Sequence, residues 1–230
     1  SERMEPFERL RRGIRKKIQS FKPFEGRNYI EQEFSDFDQR ILQLKPTQNI
    51  YLDGLWQSEK YFLEIESVIR SDLKIIPPKD KKVLSISEKI KSKKSVAIHI
   101  RWFNQEDSGS DENVQMDYYK LALAKMETLL EEPYYFIFSD NPEKSKSALK
   151  LPEGRFEFIT HNIEKESAIY DFWLMQQCDN FIIANSTFSW WGAWLSTSNN
   201  KIVIAPKRWF ADEKLNHQAI NITTNQWIML

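Results

Sequence analysis

From Ser95 to Ala205 the chain alternates short apolar runs with longer stretches of helical spacing. The runs are Ser95–Ile100 (SVAIHI), Tyr134–Ser139 (YYFIFS), Arg155–Thr160 (RFEFIT), Phe181–Asn185 (FIIAN) and Ile202–Ala205 (IVIA). Helical stretches at Asp117–Leu130, Pro142–Leu149 and Glu166–Gln177 fall between them. Largely apolar runs of this length suit strands with both faces covered, and intervening helices return the chain so that successive strands lie parallel. The expected class is therefore α/β, with a Rossmann-like parallel sheet. Pro77-Pro78 and the lysine-rich Lys79–Lys82 read as a break, which places a boundary between residues 1–80 and 81–230. Before the break, Asn49–Leu52 is a strand candidate, and Ser58–Ile69 has helical spacing with Tyr61, Phe62, Ile65 and Val68 on one side.

Composition removes several classes of function. Thirty-three Lys and Arg balance thirty-three Asp and Glu, so bulk charge gives no reason to expect a nucleic-acid partner. Eight tryptophans in 230 residues argue for a packed core over disorder. The lone cysteine, Cys178, leaves no internal disulfide and suits a reducing compartment. With no apolar run long enough for a membrane span and no signal-peptide pattern, the chain reads as cytoplasmic. A basic cluster, Arg9, Arg11, Arg12, Arg15, Lys16 and Lys17 with Leu10 and Ile14 interleaved, would suit peripheral contact with the inner membrane. A solvated helix face or frayed arm is the commoner fate of such a run and is the reading preferred.

Chemistry concentrates at the expected carboxyl ends of strands, where open α/β sheets bind ligands. Asn180–Trp194 (NFIIANSTFSWWGAW) runs from a buried strand into a turn holding Asn185, Ser186, Thr187 and Ser189. A helix start follows, carrying Trp190, Trp191 and Trp194. Outward-facing hydroxyls and N–H groups there would suit an anion, and the tryptophans read as packing. His99-x-Arg101 closes SVAIHI with both side chains on one side of the strand; the arginine fork suits a phosphate. Taken alone, a core histidine and a strand-end ion pair explain HxR equally well. Ser139-Asp140-Asn141 closes YYFIFS, where a carboxylate could meet ribose hydroxyls or a residue could cap the helix opening at Pro142. Asp171, set among Ile169, Phe172, Trp173 and Met175, needs a donor partner if buried, and a guanine edge would be one. The glycines form neither GxGxxG nor a P-loop, and no zinc spacing occurs. Asp36-Phe37-Asp38 is a DxD string read as solvated loop, away from the strand ends. His161 and His217 have no nucleophile partner in view. The polar Asn104–Val114 could serve as a lid.

VAIHIR, FIFSDN, DFWLMQQCDNFIIANSTFSWWGAWL and VIAPKRWF resemble, in order and spacing, the bacterial α-1,2-fucosyltransferases of glycosyltransferase family 11. YLDGLWQSEKYF at Tyr51–Phe62 is similar to another motif of that family, and the resemblance covers roughly Tyr29–Phe210. It implies a GT-B-like glycosyltransferase with a C-terminal Rossmann-like domain that holds GDP-fucose, and an incomplete or divergent N-terminal domain. It further implies inverting, metal-independent transfer to an oligosaccharide or polysaccharide acceptor, with no cofactor besides the donor substrate. By resemblance Arg101 would bind the β-phosphate and stabilise leaving-group charge, and His99 would contact guanine or ribose. Asp140 would lie near ribose and Asp171 near the guanine amine. Asn185, Ser186, Thr187 and Phe188 would form the diphosphate segment. Two departures stand out. The usual HxRRGDY reads here His99-Ile100-Arg101-Trp102-Phe103-Asn104, and the usual glycine-rich N-terminal motif has no match. A non-catalytic GDP-sugar-binding remnant is therefore the alternative from another class. A carbohydrate-binding module using exposed tryptophans comes third, because the tryptophans follow helical packing.

Overall fold

A computed structural model describes residues 13–14, 16–19, 21–32, 37–45, 49–102, 114–160 and 167–230. The chain divides into two compact units: Ser1–Glu66 with His217–Thr224, and Ser67–Asn216 with Asn225–Leu230. In the first, strand β1 (Tyr29–Glu31) pairs parallel with β2 (Tyr51–Asp53). The Tyr29 and Tyr51 rings stack at 5.4 Å, and the Tyr29 hydroxyl donates to Asp53. Lys16 pairs with Glu31; Arg9, Arg11, Arg12 and Arg15 of the basic cluster lie outside the described residues. Of the DxD string, Asp36 is likewise outside. Asp38 caps a 3-10 turn (Gln39–Gln43) by accepting from the Arg40 backbone and side chain.

The single helix expected over Ser58–Ile69 is instead two 3-10 turns, Glu59–Tyr61 and Leu63–Ile65, followed by helix α1 (Glu66–Asp72). Phe62, at φ −138° and ψ 11°, leaves helical geometry and separates the turns. The lysine-rich stretch read as a break is a helix start. Helix α2 (Lys81–Lys91) is capped by the Asp80 carboxylate, which accepts from the N–H groups of Lys82 and Val83. Val83, Ile86 and Ile90 form its buried stripe.

From Ser95 the chain then follows the expected alternation: β3 (Ser95–Ile100), α3 (Met116–Leu129), β4 (Tyr134–Ser139), α4 (Pro142–Ala148), β5 (Phe156–Phe158), α5 (Ser167–Gln176), β6 (Asn180–Ile182), α6 (Thr187–Leu195), β7 (Val203–Ala205), α7 (Glu213–Gln218) and β8 (Ile228–Met229). The six strands lie parallel in the order β5-β4-β3-β6-β7-β8. Counted from β3, this is the 3-2-1-4-5-6 order of a doubly wound α/β sheet. The connection between β5 and β6 crosses the sheet, so the strand order reverses between β3 and β6. A crevice opens at their carboxyl ends.

Both faces of β3 are covered, and every one of its residues is buried. Val96, Ile98 and Ile100 join Tyr118, Tyr119, Ala122 and Met126 of α3 in the core, which leaves Ala97 and His99 for the opposite face. Two tyrosines of α3 tie down strand exits. The Tyr118 hydroxyl lies 2.8 Å from the Ile183 carbonyl oxygen and 3.0 Å from that of Ile204, and Tyr119 donates to the His99 carbonyl at 3.0 Å. On α6 the tryptophans do pack. Trp190 and Trp194 are buried, their rings stack at 6.2 Å, and Trp190 also meets Trp227. Gly192 lets α6 approach α5, since a Cβ there would stand 2.6 Å from Met175 Sδ. Among the described residues no helix is long and apolar enough to cross a membrane.

Candidate functional site

A cavity of about 880 Å³ lies at the carboxyl ends of β3, β4 and β6. His99, Arg101, Asp140, Asp171, Ser186, Thr187 and Phe188 all line it. Motifs far apart in sequence thus meet in one place, because parallel strands deliver their exits to a common edge. Alternation along β3 puts His99 and Arg101 on the side away from α3. The return through α5 brings Asp171, and the turn from β6 into α6 brings Ser186–Phe188.

His99 is the most enclosed of these groups, at 7% exposure. Its ring centroid is 5.4 Å from that of Phe188, which in turn meets Phe172 at 5.2 Å. His99 Nδ1 is buried with no hydrogen-bond partner among the described residues. Burial first, and then the neighbouring positive charge of Arg101, push its imidazole down to about 3, so it is neutral at physiological pH. An imidazole in that state offers one donor and one acceptor and adds no charge.

Arg101 stands just past β3 and pairs with Asp140, Nη1 to Oδ2 at 2.6 Å. The other Asp140 oxygen accepts from the Trp102 backbone N–H at 2.9 Å. Of the Ser139-Asp140-Asn141 trio, Asn141 is the helix cap, accepting from Lys144 N at 3.1 Å. Ser139 shares a hydrogen bond of 2.8 Å with Ser145. Asp140 lines the cavity with one oxygen engaged by Arg101 and the other by the Trp102 N–H.

The turn into α6 divides its polar groups. Ser186 is the N-cap residue, with extended backbone and no side-chain cap bond, and it lines the cavity with Thr187. The first N–H groups of a helix have no intrahelical acceptors and carry partial positive charge. Ser189, expected to face outward, is fully buried. Its hydroxyl turns back toward the carbonyls of Ser186, at 3.3 Å, and Ala184, because it falls on the packed side of the first turn. Asn185 points elsewhere, its amide donating to the Trp209 carbonyl at 3.0 Å, which ties the turn to the segment after β7.

Sequence reasoning missed Phe138, Glu143, Ile159, Thr160 and Ala168 as lining residues, and Trp102 and Ser145 as supports. Phe138, Ile159 and Thr160 had a signal, as the last residues of expected strands. His161 and residues 104–113 of the lid candidate lie outside the described residues, while Val114 packs against the core. Among the described residues no group of three or more His, Cys, Asp or Glu gathers as metal ligands would.

The arrangement offers a cation, a neutral imidazole, a carboxylate on α5 and a helix start around a single cavity. That donor set suits a phosphate-bearing ligand with a polar ring at one end. Two Escherichia coli proteins are similar in sequence. The O-antigen biosynthesis glycosyltransferase WbnK is 37% identical over 115 residues, 50% of this chain and 36% of that protein. An alpha-1,2-colitosyltransferase is 33% identical over 172 residues, 71% of this chain and 57% of that protein. The matched part therefore spans only 36% and 57% of these relatives' lengths. The Glycosyl transferase family 11 profile matches residues 6–230, nearly the entire chain, and the protein belongs to that family.

Proposed function

We propose that the protein transfers L-fucose from GDP-fucose to a hydroxyl of a sugar acceptor, forming an α-1,2 linkage with inversion and without a metal, in cell-surface polysaccharide synthesis. The observation that carries this reading is the convergence of Arg101, the start of α6 and Asp171 on one cavity at the strand-order reversal. Family membership supports glycosyl transfer. The relatives' names support an α-1,2 transfer and an O-antigen setting. In this reading Ser186, Thr187 and Phe188 hold the diphosphate, Asp171 meets guanine, and His99 meets guanine or ribose. The C-terminal unit acts as the donor-binding half of a GT-B arrangement. As the acceptor oxygen bonds to the anomeric carbon and releases its hydroxyl proton to solvent, the bond to the β-phosphate oxygen breaks and its electron pair leaves with GDP. Arg101 meets the charge that develops there, and such a donor contributes most in the transition state.

A release assay for GDP with GDP-fucose and GDP-colitose across an acceptor panel tests the reading. Turnover with GDP-fucose supports it, and turnover with GDP-colitose alone reassigns the donor. Thermal stabilisation by GDP without any turnover would favour the non-catalytic GDP-sugar binder. One observation favours that second reading. Trp102 occupies the place of the family's usual second arginine, and its indole N–H is spent on Ser145 at 2.9 Å. Arg101→Ala should lower turnover by about 10²-fold or more and weaken, without abolishing, stabilisation by GDP. Unchanged GDP binding in that variant removes the phosphate role.

A further inference from the structure

We infer that Asp140 is a positioning residue for Arg101 and makes no grip of its own on the nucleotide. The inference rests on the cavity being a GDP-sugar site and replaces the ribose contact that resemblance implies for this carboxylate. One Asp140 oxygen holds Arg101 Nη1 at 2.6 Å, and the other holds the Trp102 N–H at 2.9 Å. A single carboxylate thus fixes the arginine's side chain and the backbone immediately after it.

The platform behind Asp140 is itself braced. Trp102 Nε1 donates to Ser145 Oγ at 2.9 Å, and Ser145 is fully buried and lies 2.8 Å from Ser139 Oγ. Ser145 Oγ also lies 2.9 Å from the Asn141 carbonyl oxygen, and the Lys144 ammonium sits 4.0 Å from the Trp102 ring centroid. The exits of β3 and β4 are therefore tied together on both sides of the ion pair. Asp140 carries the wrong sign to attract a diphosphate, and beside the phosphates it would repel them. Its favourable effect must pass through Arg101, a long side chain whose freedom is costly to remove when a ligand binds. A guanidinium has five N–H donors, so the Asp140 pair and a phosphate contact are compatible.

Asp140→Ala removes both holds, while Asp140→Asn removes the charge and keeps an acceptor for the Trp102 N–H. GDP and inorganic pyrophosphate should each bind about 10-fold more weakly to Asp140→Ala, with guanosine unaffected, and Asp140→Asn should fall between. In an Arg101→Ala background Asp140→Ala should have no further effect, because the two residues act as one unit. Equal weakening of guanosine and GDP, additive losses, or tighter GDP binding by Asp140→Ala would each overturn the inference. If the wild-type chain binds no GDP, the GDP-sugar reading fails by itself, and a ligand-free measurement still decides the positioning. The ¹⁵N guanidinium resonances of Arg101 should show hindered rotation in the wild type and average in Asp140→Asn, with circular dichroism unchanged. Identical resonances in the two proteins refute it.

Discussion

The His99 and Phe188 rings lie 5.4 Å apart, tilted by 37°, and join the end of β3 to the first turn of α6. Both rings line the cavity, one from each side of the strand-order reversal. The contact also keeps His99 from water, which is why burial dominates the depression of its pKa to about 3.

That depression has a sign that can be tested. The unfolded chain protonates this histidine near pH 6.5, whereas the folded chain keeps it neutral down to about 3. Between these values the unfolded state binds one more proton, so this group's contribution makes stability rise with pH and fall as the solution is acidified. His99→Gln lacks the effect. Urea unfolding at pH 7.5, 6.0 and 5.0 should show the wild type losing stability relative to His99→Gln by up to about 1.4 kcal/mol per pH unit below 6.5. Parallel pH curves for the two proteins would mean that His99 is freely hydrated.

Tyr118 offers a test of the strand exits. Burial pushes its phenol well above the ordinary range, so the hydroxyl remains a donor and lies 2.8 Å from the Ile183 carbonyl and 3.0 Å from that of Ile204. Tyr118→Phe keeps the ring and removes the bridge between the chain after β6 and β7. The expected cost is about 1–2 kcal/mol, read from the urea midpoint at constant m-value. A change under a few tenths of a kcal/mol would mean that the bridge adds nothing net.

Where the sequence was legible, the cause was periodicity. A six-residue, largely apolar run such as SVAIHI, followed by a polar stretch, reads as a buried strand, and period-two alternation then puts His99 with Arg101. The turn at Ser186–Phe188 was legible because small polar residues after a buried strand have few other uses. What stayed hidden depends on tertiary partners. Ser189 looks like Ser186 in sequence, and only helix phase decides that it faces the Ala184 carbonyl. Asp140 reads as a cap or a ligand group, and its engagement with Arg101 exists only once β3 and β4 pair. Helix α2 was missed because its lysines hid three spaced apolar residues and because Asp80 was counted as part of the charge run.

That cap gives its own prediction. Asp80 accepts from Lys82 N at 2.7 Å and Val83 N at 3.1 Å, and its charge faces the positive end of α2. Asp80→Ala should destabilise the fold by about 1 kcal/mol, and Asp80→Ser should recover most of it. Equal stability of the alanine variant and the wild type, by thermal and urea unfolding, would show that α2 is held by its buried stripe alone.

The packing of α6 on α5 turns on Gly192. In an exposed helix, Gly→Ala adds about 1 kcal/mol of stability by propensity. Here the added methyl would stand 2.6 Å from Met175 Sδ and 3.2 Å from Met175 Cγ, and Met175 is 1% exposed. The buried thioether must shift to admit the methyl, and overpacking of this kind costs about 1–3 kcal/mol. The clash should win, leaving Gly192→Ala less stable than wild type by about 1 kcal/mol. A companion change separates the two effects. With Met175→Ala present the methyl enters space that the thioether vacated, so Gly192→Ala should become neutral or stabilising in that background. A double-mutant cycle from urea unfolding reads the coupling directly. If Gly192→Ala is equally unfavourable with and without Met175, the glycine serves something other than this close approach.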